Sequence, residues 1–386
     1  MRIAIFSDTY APEINGVAKT LKRYTDYLEK KGIEYKLFVP ESSTAVPTVP
    51  QVQRFTSIPF LLYPECRIAL PNPVHIKQTL EEFKPTLIHI ATPFNLGLFG
   101  LHYGKKHNIP MVASYHTHFD DYLEYYHLTF LQKWIWKYMA WFHDSFEKVY
   151  VPSQSTKEKL LNQKIHNNID IWGRGVNHDF FTPLKRASDI RKKYNINEKN
   201  VLLYVGRIAP EKDVHTVLET FHALPERVKK DTHLLIVGDG PLFKQLSEQK
   251  YPNITWTGFK KGEELAEIYA SSDVFIFPSS TETFGNVVLE ALASGIPVIG
   301  ANEGGIQHLI SHGETGFLCG KKNVEEFVYQ TTILLEQEYL RNEFAENARR
   351  FALTLSWDEI FDQLINSYQD IIYKSWLANS RNRHYA

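Results

Sequence analysis

Short runs of β-branched and aromatic residues recur through the chain, each followed by a stretch whose apolar residues fall three or four apart. In the first half the runs 2–6, 35–39, 87–90, 110–115 and 149–151 predict buried strands. Helices are expected between them at 96–106 and 156–161. Another opens near Val17, carries Val17, Leu21, Tyr24 and Leu28 on one side, and stops at Gly32. The segment 41–73 is rich in proline and irregular, with short strands expected around Arg54 and at 66–68. A long aromatic helical region is expected over 122–146. After a turn-rich crossover at 170–183 the alternation starts afresh. Strands are expected at 201–205, 234–237, 254–257, 273–277 and 297–300, helices at 214–224, 242–249, 263–270 and 287–293, and a largely helical tail over 324–374. Such alternation builds parallel sheets with helices on both faces. The expected fold class is α/β: two doubly wound sheets facing each other across a cleft.

Length agrees with that division, because 386 residues exceed what one core usually supports. The junction is expected at 176/177, giving domains 1–176 and 177–367. A hydrophobic fraction of 43% and a charged fraction of 23% are those of a globular protein. A formal net charge of -1 argues against nucleic acid as a partner, although bases modestly outnumber acids up to about Arg174 and acids prevail beyond it. Cys66 and Cys319 stand far apart without metal-ligand spacing, which suits a reducing cytoplasm. Met1 runs straight into the first strand, so no signal peptide is expected, and no apolar run approaches a membrane span.

Candidate chemistry concentrates at 277–295, where a strand, a polar turn and a helix follow one another. Glu282 falls in the turn and Glu290 about two turns into the helix, which ends at Gly295 as a left-handed cap. Two carboxylates and the helix N-terminal amides would then face a crevice at a strand's carboxyl end, where open α/β sheets bind ligands. A surface helix with ordinary solvated acids is the alternative. Other glycine-bearing turns open helices at Asn15-Gly16-Val17, Gly206-Arg207, Gly238-Asp239-Gly240-Pro241 and Glu303-Gly304-Gly305. No Walker motif or full dinucleotide fingerprint accompanies them. Arg207 and Lys212 would stabilise the charge growing on a leaving diphosphate; the alternative is a surface pair with Glu211.

His116 follows the strand 110–115 and reads as a hydrogen-bonding residue. With His118, His127, Asp120 and Asp121 it makes only a weak metal pattern. The aromatic stretch 119–150 mixes Trp and Tyr with Lys133 and Lys137. Two readings stay open for it: core packing, and contact with a membrane surface aided by Lys105, Lys106 and His107.

Glu282, seven residues, then Glu290, taken with Gly206-Arg207, Lys212, Gly238-Asp239-Gly240-Pro241 and Ser114-Tyr115-His116-Thr117, resembles the retaining glycosyltransferases of family 4. Trp172-Gly173-Arg174-Gly175-Val176-Asn177 is similar to the "RGVD" crossover of the subgroup around GDP-mannose-dependent α-mannosyltransferases and sulfoquinovosyl-diacylglycerol synthases. The likeness spans nearly the whole chain, in the family's motif order. It implies a GT-B fold: two Rossmann-like doubly wound domains, the nucleotide-sugar donor on the second and the acceptor on the first. The last helix, at about 368–386, would cross back to the first domain.

The resemblance implies a catalytic set of His116, Glu282, Arg207 and Lys212. Glu282 would bind donor-sugar hydroxyls, Arg207 and Lys212 would neutralise the diphosphate, and His116 would hydrogen-bond the sugar near the reacting carbon. Phe284, Gly285, Asn286 and Val287 would line the sugar and diphosphate, Glu290 would accept the ribose hydroxyls, and Gly16 would give an amide to the diphosphate. The nucleobase would sit near Gly238, Phe259 and Lys260.

The sequence departs from the family in two places. Asn15-Gly16 replaces a frequent glycine pair, which leaves that loop's phosphate contacts open, and Asn177 stands where Asp is common. The Asp-x-Asp motif of metal-dependent relatives of another fold is absent, so no obligatory metal is expected. The implied activity is transfer of a hexose from a UDP- or GDP-linked donor to a hydroxyl acceptor, forming an α-glycoside. A membrane lipid such as diacylglycerol or a glycolipid is the leading acceptor, reached by a cytoplasmic enzyme touching the inner face of the cell membrane. A soluble sugar or cell-wall polymer acceptor, a sugar-nucleotide epimerase of the same fold, and a silent nucleotide-sugar binding module are the alternatives.

Overall fold

The structure is a computed structural model, and it describes residues 1–13, 15–42, 44, 46–59, 67–116, 129–248 and 251–384. The chain opens with β1 (Arg2–Phe6), β2 (Glu34–Pro40) and β3 (Val52–Phe55). An antiparallel ribbon of β4 (Ser57–Pro59) and β5 (Arg67–Ala69) follows, then β6 (Leu87–Ile90), β7 (Met111–Ser114), β8 (Lys148–Val151) and β9 (Ile169–Ile171). Ribbon apart, these strands form one parallel sheet in the order β3-β2-β1-β6-β7-β8-β9. The second sheet contains β10 (Asn200–Val205), β11 (Thr232–Val237), β12 (Ile254–Trp256), β13 (Val274–Phe277), β14 (Val298–Ala301) and β15 (Gly316–Cys319). Its order is β12-β11-β10-β13-β14-β15, again all parallel. Each sheet therefore reverses direction once, beside β1 and beside β10, which is the doubly wound arrangement.

The central strands have water on neither face. Ile3 to Phe6 and Val274 to Ile276 are fully buried, as near-continuous apolar runs require. The helix Gly16–Lys30 buries Leu21, Tyr24 and Leu28 of the stripe its spacing predicts, while Val17, in the first turn, is only half-buried. Several elements were not anticipated, among them one helix and two edge strands. Helix Pro73–Phe83 begins beyond the irregular proline-rich segment, with Pro73 in its first turn and the Asn72 side chain accepting from the amides of Val74 and His75. β9 and β15 are short sheet-edge strands, and β15 starts on a glycine whose added Cβ would lie 1.9 Å from the Val298 carbonyl oxygen. The aromatic region contains the helix Gln132–His143, while residues 122–128 of the expected helix lie outside the described residues.

Packing divides the chain into two compact units. One gathers the described residues up to Gly173 together with those from Asp358 onward; the other holds Arg174–Trp357. The helix Trp357–His384 is thus part of the first unit from Asp358, and a fully buried histidine anchors it. His89, on β6, lies between two hydroxyls: Ser114 Oγ is 2.9 Å from its Nε2 and the Tyr368 hydroxyl 3.0 Å from its Nδ1. Either neutral tautomer is satisfied, since a hydroxyl both donates and accepts. The rings of Trp172, Tyr24 and Tyr368 close around it at centroid distances of 5.5, 6.3 and 5.9 Å. At the rim Lys30 and Lys31 meet Asp358 and Asp362 at 2.6 and 2.8 Å, exposed pairs that contribute little.

Burial lowers the His89 pKa from 6.5 to about 3. The fold holds the neutral form, so this contribution to stability is complete above about 6.5 and is lost as pH falls from there toward 3. Lowering pH from 7 to 5 is expected to speed amide hydrogen exchange in the Phe361–Ile371 portion of the last helix in the native chain. His89→Gln should flatten that response, read by exchange mass spectrometry after correction for intrinsic rates.

Candidate functional site

β10 and β13 are neighbours, and the connections that leave their carboxyl ends diverge at the strand-order reversal of the second sheet. The turn after β10 carries Arg207 and ends in the single helical turn Pro210–Lys212. The Tyr204 hydroxyl donates to the Arg207 carbonyl at 3.1 Å, holding that turn against the strand. The turn after β13 contributes Ser279 and Thr281, whose hydroxyls donate to the Glu211 carbonyl at 3.3 and 3.0 Å. The turn after β14 then closes on the second, with the Gly305 amide donating to the Glu282 carbonyl at 2.6 Å.

Glycine is required at that closure. Gly304 has φ +67, and a Cβ there would come within 2.8 Å of the carbonyl oxygens of Glu282 and Ser280. A Cβ on Gly305 would stand 2.4 Å from the Thr283 carbonyl. Gly238, at φ +144, is pressed in the same way against the first turn, its added Cβ 1.8 Å from the Gly206 carbonyl oxygen, while its amide donates to the Gly258 carbonyl at 3.0 Å. Backbone-on-backbone packing thus accounts for these glycines.

The charged side chains converge at the joined turns. Lys212 Nζ lies 2.6 Å from Glu282 Oε1, and the two side chains are only 15% and 21% exposed. Arg207 Nη1 stands 3.4 Å from Glu211 Oε1, the partner named in the alternative reading. Tyr204 stays a neutral phenol: burial pushes its pKa well above the ordinary range, and the carboxylates of Glu282, Glu211 and Asp213 push it further. Gly285 (φ +102) precedes the helix Asn286–Ala293, which starts without a side-chain cap. A Cβ on Gly285 would meet Ile306 at 2.5 Å, so the sharp entry needs glycine. Phe284 and Val287 lean on the core, and Glu290 Oε2 accepts from the Tyr269 hydroxyl at 3.2 Å. Beyond β12, Phe259 is half exposed, and Lys260 Nζ lies 3.5 Å from Glu264 and above the Tyr194 ring.

Arg207, Lys212, Gly238, Phe259, Lys260, Glu282, Phe284, Gly285, Asn286, Val287 and Glu290 all belong to the second unit, whereas Gly16 and His116 belong to the first. Gly16 opens its helix behind Asn15, whose Oδ1 accepts from the Ala18 amide and whose Nδ2 donates to Thr9 Oγ1, both at 2.8 Å. The asparagine that departs from a glycine pair therefore ties the loop closed. His116, half-buried at the end of β7, meets the Trp172 ring edge-on at 5.3 Å. His118, His127, Asp120 and Asp121 lie outside the described residues. Among the described residues no group of three or more His, Cys, Asp or Glu could hold a metal ion. Ser279, Thr281, Tyr204 and Tyr269 were not singled out from the sequence. The polar run at 279–281 was a signal for the first two, while the tyrosines are hidden among core aromatics.

Comparison with known proteins shows the family and the fold. The profile of the family described as Glycosyltransferase Family 4 matches residues 14–180, and that of Glycosyl transferases group 1 matches residues 187–351. A GDP-mannose-dependent alpha-mannosyltransferase of Mycolicibacterium smegmatis is 31% identical over 378 residues, covering 96% of this chain and 98% of the relative. The sulfoquinovosyl transferase SQD2 of Arabidopsis thaliana is 30% identical, covering 92% and 71%. Among solved structures, sucrose-phosphate synthase from Thermosynechococcus elongatus superposes with a TM-score of 0.79 at 20% identity, covering 97% of this chain and 99% of that one. Anabaena HepE in complex with UDP and glucose gives 0.74 at 19%, covering 96% and 99%. The chain belongs to glycosyltransferase family 4 and has the GT-B fold. It is a hexosyltransferase, moving a hexose from a nucleotide sugar to a hydroxyl acceptor with retention.

Gly305→Ala is expected to lower stability by about 1–3 kcal/mol, because the Thr283 backbone has no room to yield. Gly173→Ala, where a Cβ meets nothing within 4 Å, is the control. Denaturant melts of the two variants check this.

Proposed function

We propose that the joined turns of the second unit grip the nucleotide sugar, and that the acceptor is a membrane lipid such as diacylglycerol or a glycolipid, which becomes an α-glycoside. The Lys212–Glu282 pair at 2.6 Å carries the donor half of this reading. Lys212 and Arg207 would lie along the diphosphate and Glu282 would take sugar hydroxyls, so an arriving donor exchanges one satisfied ion pair for two sets of contacts. Glu290 would hold the ribose, the amides of Phe284, Gly285 and Asn286 would line the sugar and phosphates beside Val287, and Gly238, Phe259 and Lys260 would flank the base. From the first unit, Gly16 would offer an amide to the diphosphate and His116 a hydrogen bond to the sugar.

In the proposed reaction the bond from the anomeric carbon to the diphosphate oxygen breaks, and the electron pair leaves with the diphosphate. The acceptor hydroxyl oxygen bonds to that carbon on the same face, and its proton passes to the departing phosphate. The cations lower the energy of the charge arriving on the leaving group, and no protein base is needed. We propose no resident metal or cofactor. The donor is UDP- or GDP-linked.

The helix Gln132–His143 supports the lipid half. It buries Met139 and Phe142, yet Trp134 and Trp141 are 70% and 56% exposed, as is Phe130 in the turn just before it, at 71%. Lys133 and Lys137 stand between them, with Lys137 Nζ 5.5 Å from the Trp134 ring centroid, and Lys105, Lys106 and His107 are exposed at the end of another helix. The core-packing and membrane readings thus fit different faces of one helix. Exposed aromatics interleaved with lysine suit the inner face of a cell membrane carrying anionic lipid. Among the described residues no helix is long and apolar enough to cross a membrane.

Lys212→Ala and Glu282→Ala are each expected to cut turnover of the accepted nucleotide sugar about 100-fold or more. Unchanged turnover in both variants would refute the site assignment. In a thermal-shift panel of UDP- and GDP-sugars, one base series should raise the melting temperature and the other should not. The protein should sediment with anionic vesicles, and Trp134→Ser with Trp141→Ser should release it. A protein that stays wholly in solution refutes the lipid half.

A further inference from the structure

We infer that Tyr269 is the positioning residue that aims Glu290 and so gives the site its preference for a ribonucleotide. The inference rests on the proposed reading of Glu290 as the ribose ligand. Tyr269, on the helix Gly262–Ala270, is fully buried, its ring edge-on to Phe181 at 5.6 Å and tilted against Phe275 at 5.9 Å. With the ring fixed, its hydroxyl reaches two groups of the helix Asn286–Ala293: the Val287 carbonyl and Glu290 Oε2, each at 3.2 Å. Both acceptors belong to residues of the proposed donor surface, three positions apart and so on one helix face.

One phenolic proton serves two acceptors, and the charged carboxylate is the stronger. Burial and the neighbouring Glu290 charge together keep the phenol protonated, so it is a permanent donor. Glu290 is half-buried on a flexible side chain, and it would otherwise lose rotamer freedom on binding a diol. The hydrogen bond removes that cost in advance by fixing Oε2. A site built this way discriminates between a ribose with two hydroxyls and a sugar lacking them, because only the first brings the aimed carboxylate hydroxyls to accept from. Tyr269 touches neither phosphate nor hexose on this reading, so its effect should appear only where the diol is present.

The test uses the full chain and measures dissociation constants for UDP and GDP and their 2′,3′-dideoxy counterparts by titration calorimetry. Tyr269→Phe keeps the ring between Phe181 and Phe275 and removes only the hydroxyl. It is expected to weaken the ribonucleotide roughly tenfold while leaving the dideoxynucleotide unchanged. Parallel losses for both nucleotides, or no loss for either, would overturn the inference. Glu290→Gln separates the two layers. If it leaves the ribo-to-dideoxy ratio intact, the ribose reading of Glu290 itself fails. If it collapses the ratio while Tyr269→Phe does not, only the positioning role fails. Should Tyr269→Phe not fold, Glu290→Asp keeps the charge but draws it back from Tyr269. The ratio should then fall, and a ratio equal to the parent's overturns the inference.

Discussion

Parallel pairing of β10 with β13 is the constraint on which the second unit's site depends. Leu202 sits opposite Val274 and Leu203 opposite Phe275, so the strands deliver their carboxyl ends side by side. The chain then leaves in opposite directions across the sheet, and the departing connections open a gap at the strand ends. The turns that carry Arg207, Lys212 and Glu282 meet at that gap. Hydroxyls from one turn lie on the Glu211 carbonyl of the other, and the Gly304-Gly305 turn locks onto Glu282 from the far side. Lys212 and Glu282 meet because three turns have been pressed into one piece.

Opposite charges are already paired within that piece. Lys212 and Glu282 are mostly shielded from water, and each lies against the opposite charge of the other. Glu211 plays the same part for Arg207 while its carbonyl ties the turns together. On the proposed reading a diphosphate would bring negative charge to the cations and a hexose would bring hydroxyls to the carboxylate, so the donor would replace each partner with a suitable one. Rigid turns matter here because a preorganised cation stabilises a leaving group without first having to move. The first unit carries a comparable buried lock, His89 between Ser114 and Tyr368, which serves to seat the last helix.

Much of this was legible in the sequence because its signals are local. Strand runs such as 201–205 and 273–277 declare themselves by continuous apolar character, and Glu282, Lys212 and Arg207 stand out as charges beside strand ends. What escaped notice depends on contacts between distant segments. β15 is four residues beginning with glycine, and only its pairing with β14 makes it a strand. Helix Pro73–Phe83 lacks a strong apolar stripe, burying only Ile76 and Leu80, and its Asn-Pro start was lost in a proline-rich segment. The glycines at 238, 304 and 305 were read as turns that open helices, and the sequence did not show that another turn's carbonyl occupies the space a side chain would need. Tyr269 looked like one more core aromatic, since its single polar atom acquires meaning only through Glu290, in the next helix along the chain.

The most direct measurement is a crystal structure of the full chain with its nucleotide-sugar donor bound. The diphosphate should lie at the carboxyl ends of β10 and β13 within hydrogen-bond distance of Lys212 Nζ, with the hexose hydroxyls on Glu282 and the ribose on Glu290. A donor bound elsewhere, or a Lys212–Glu282 pair that makes no contact with phosphate or sugar, would contradict the view that these joined turns are what grips the nucleotide sugar.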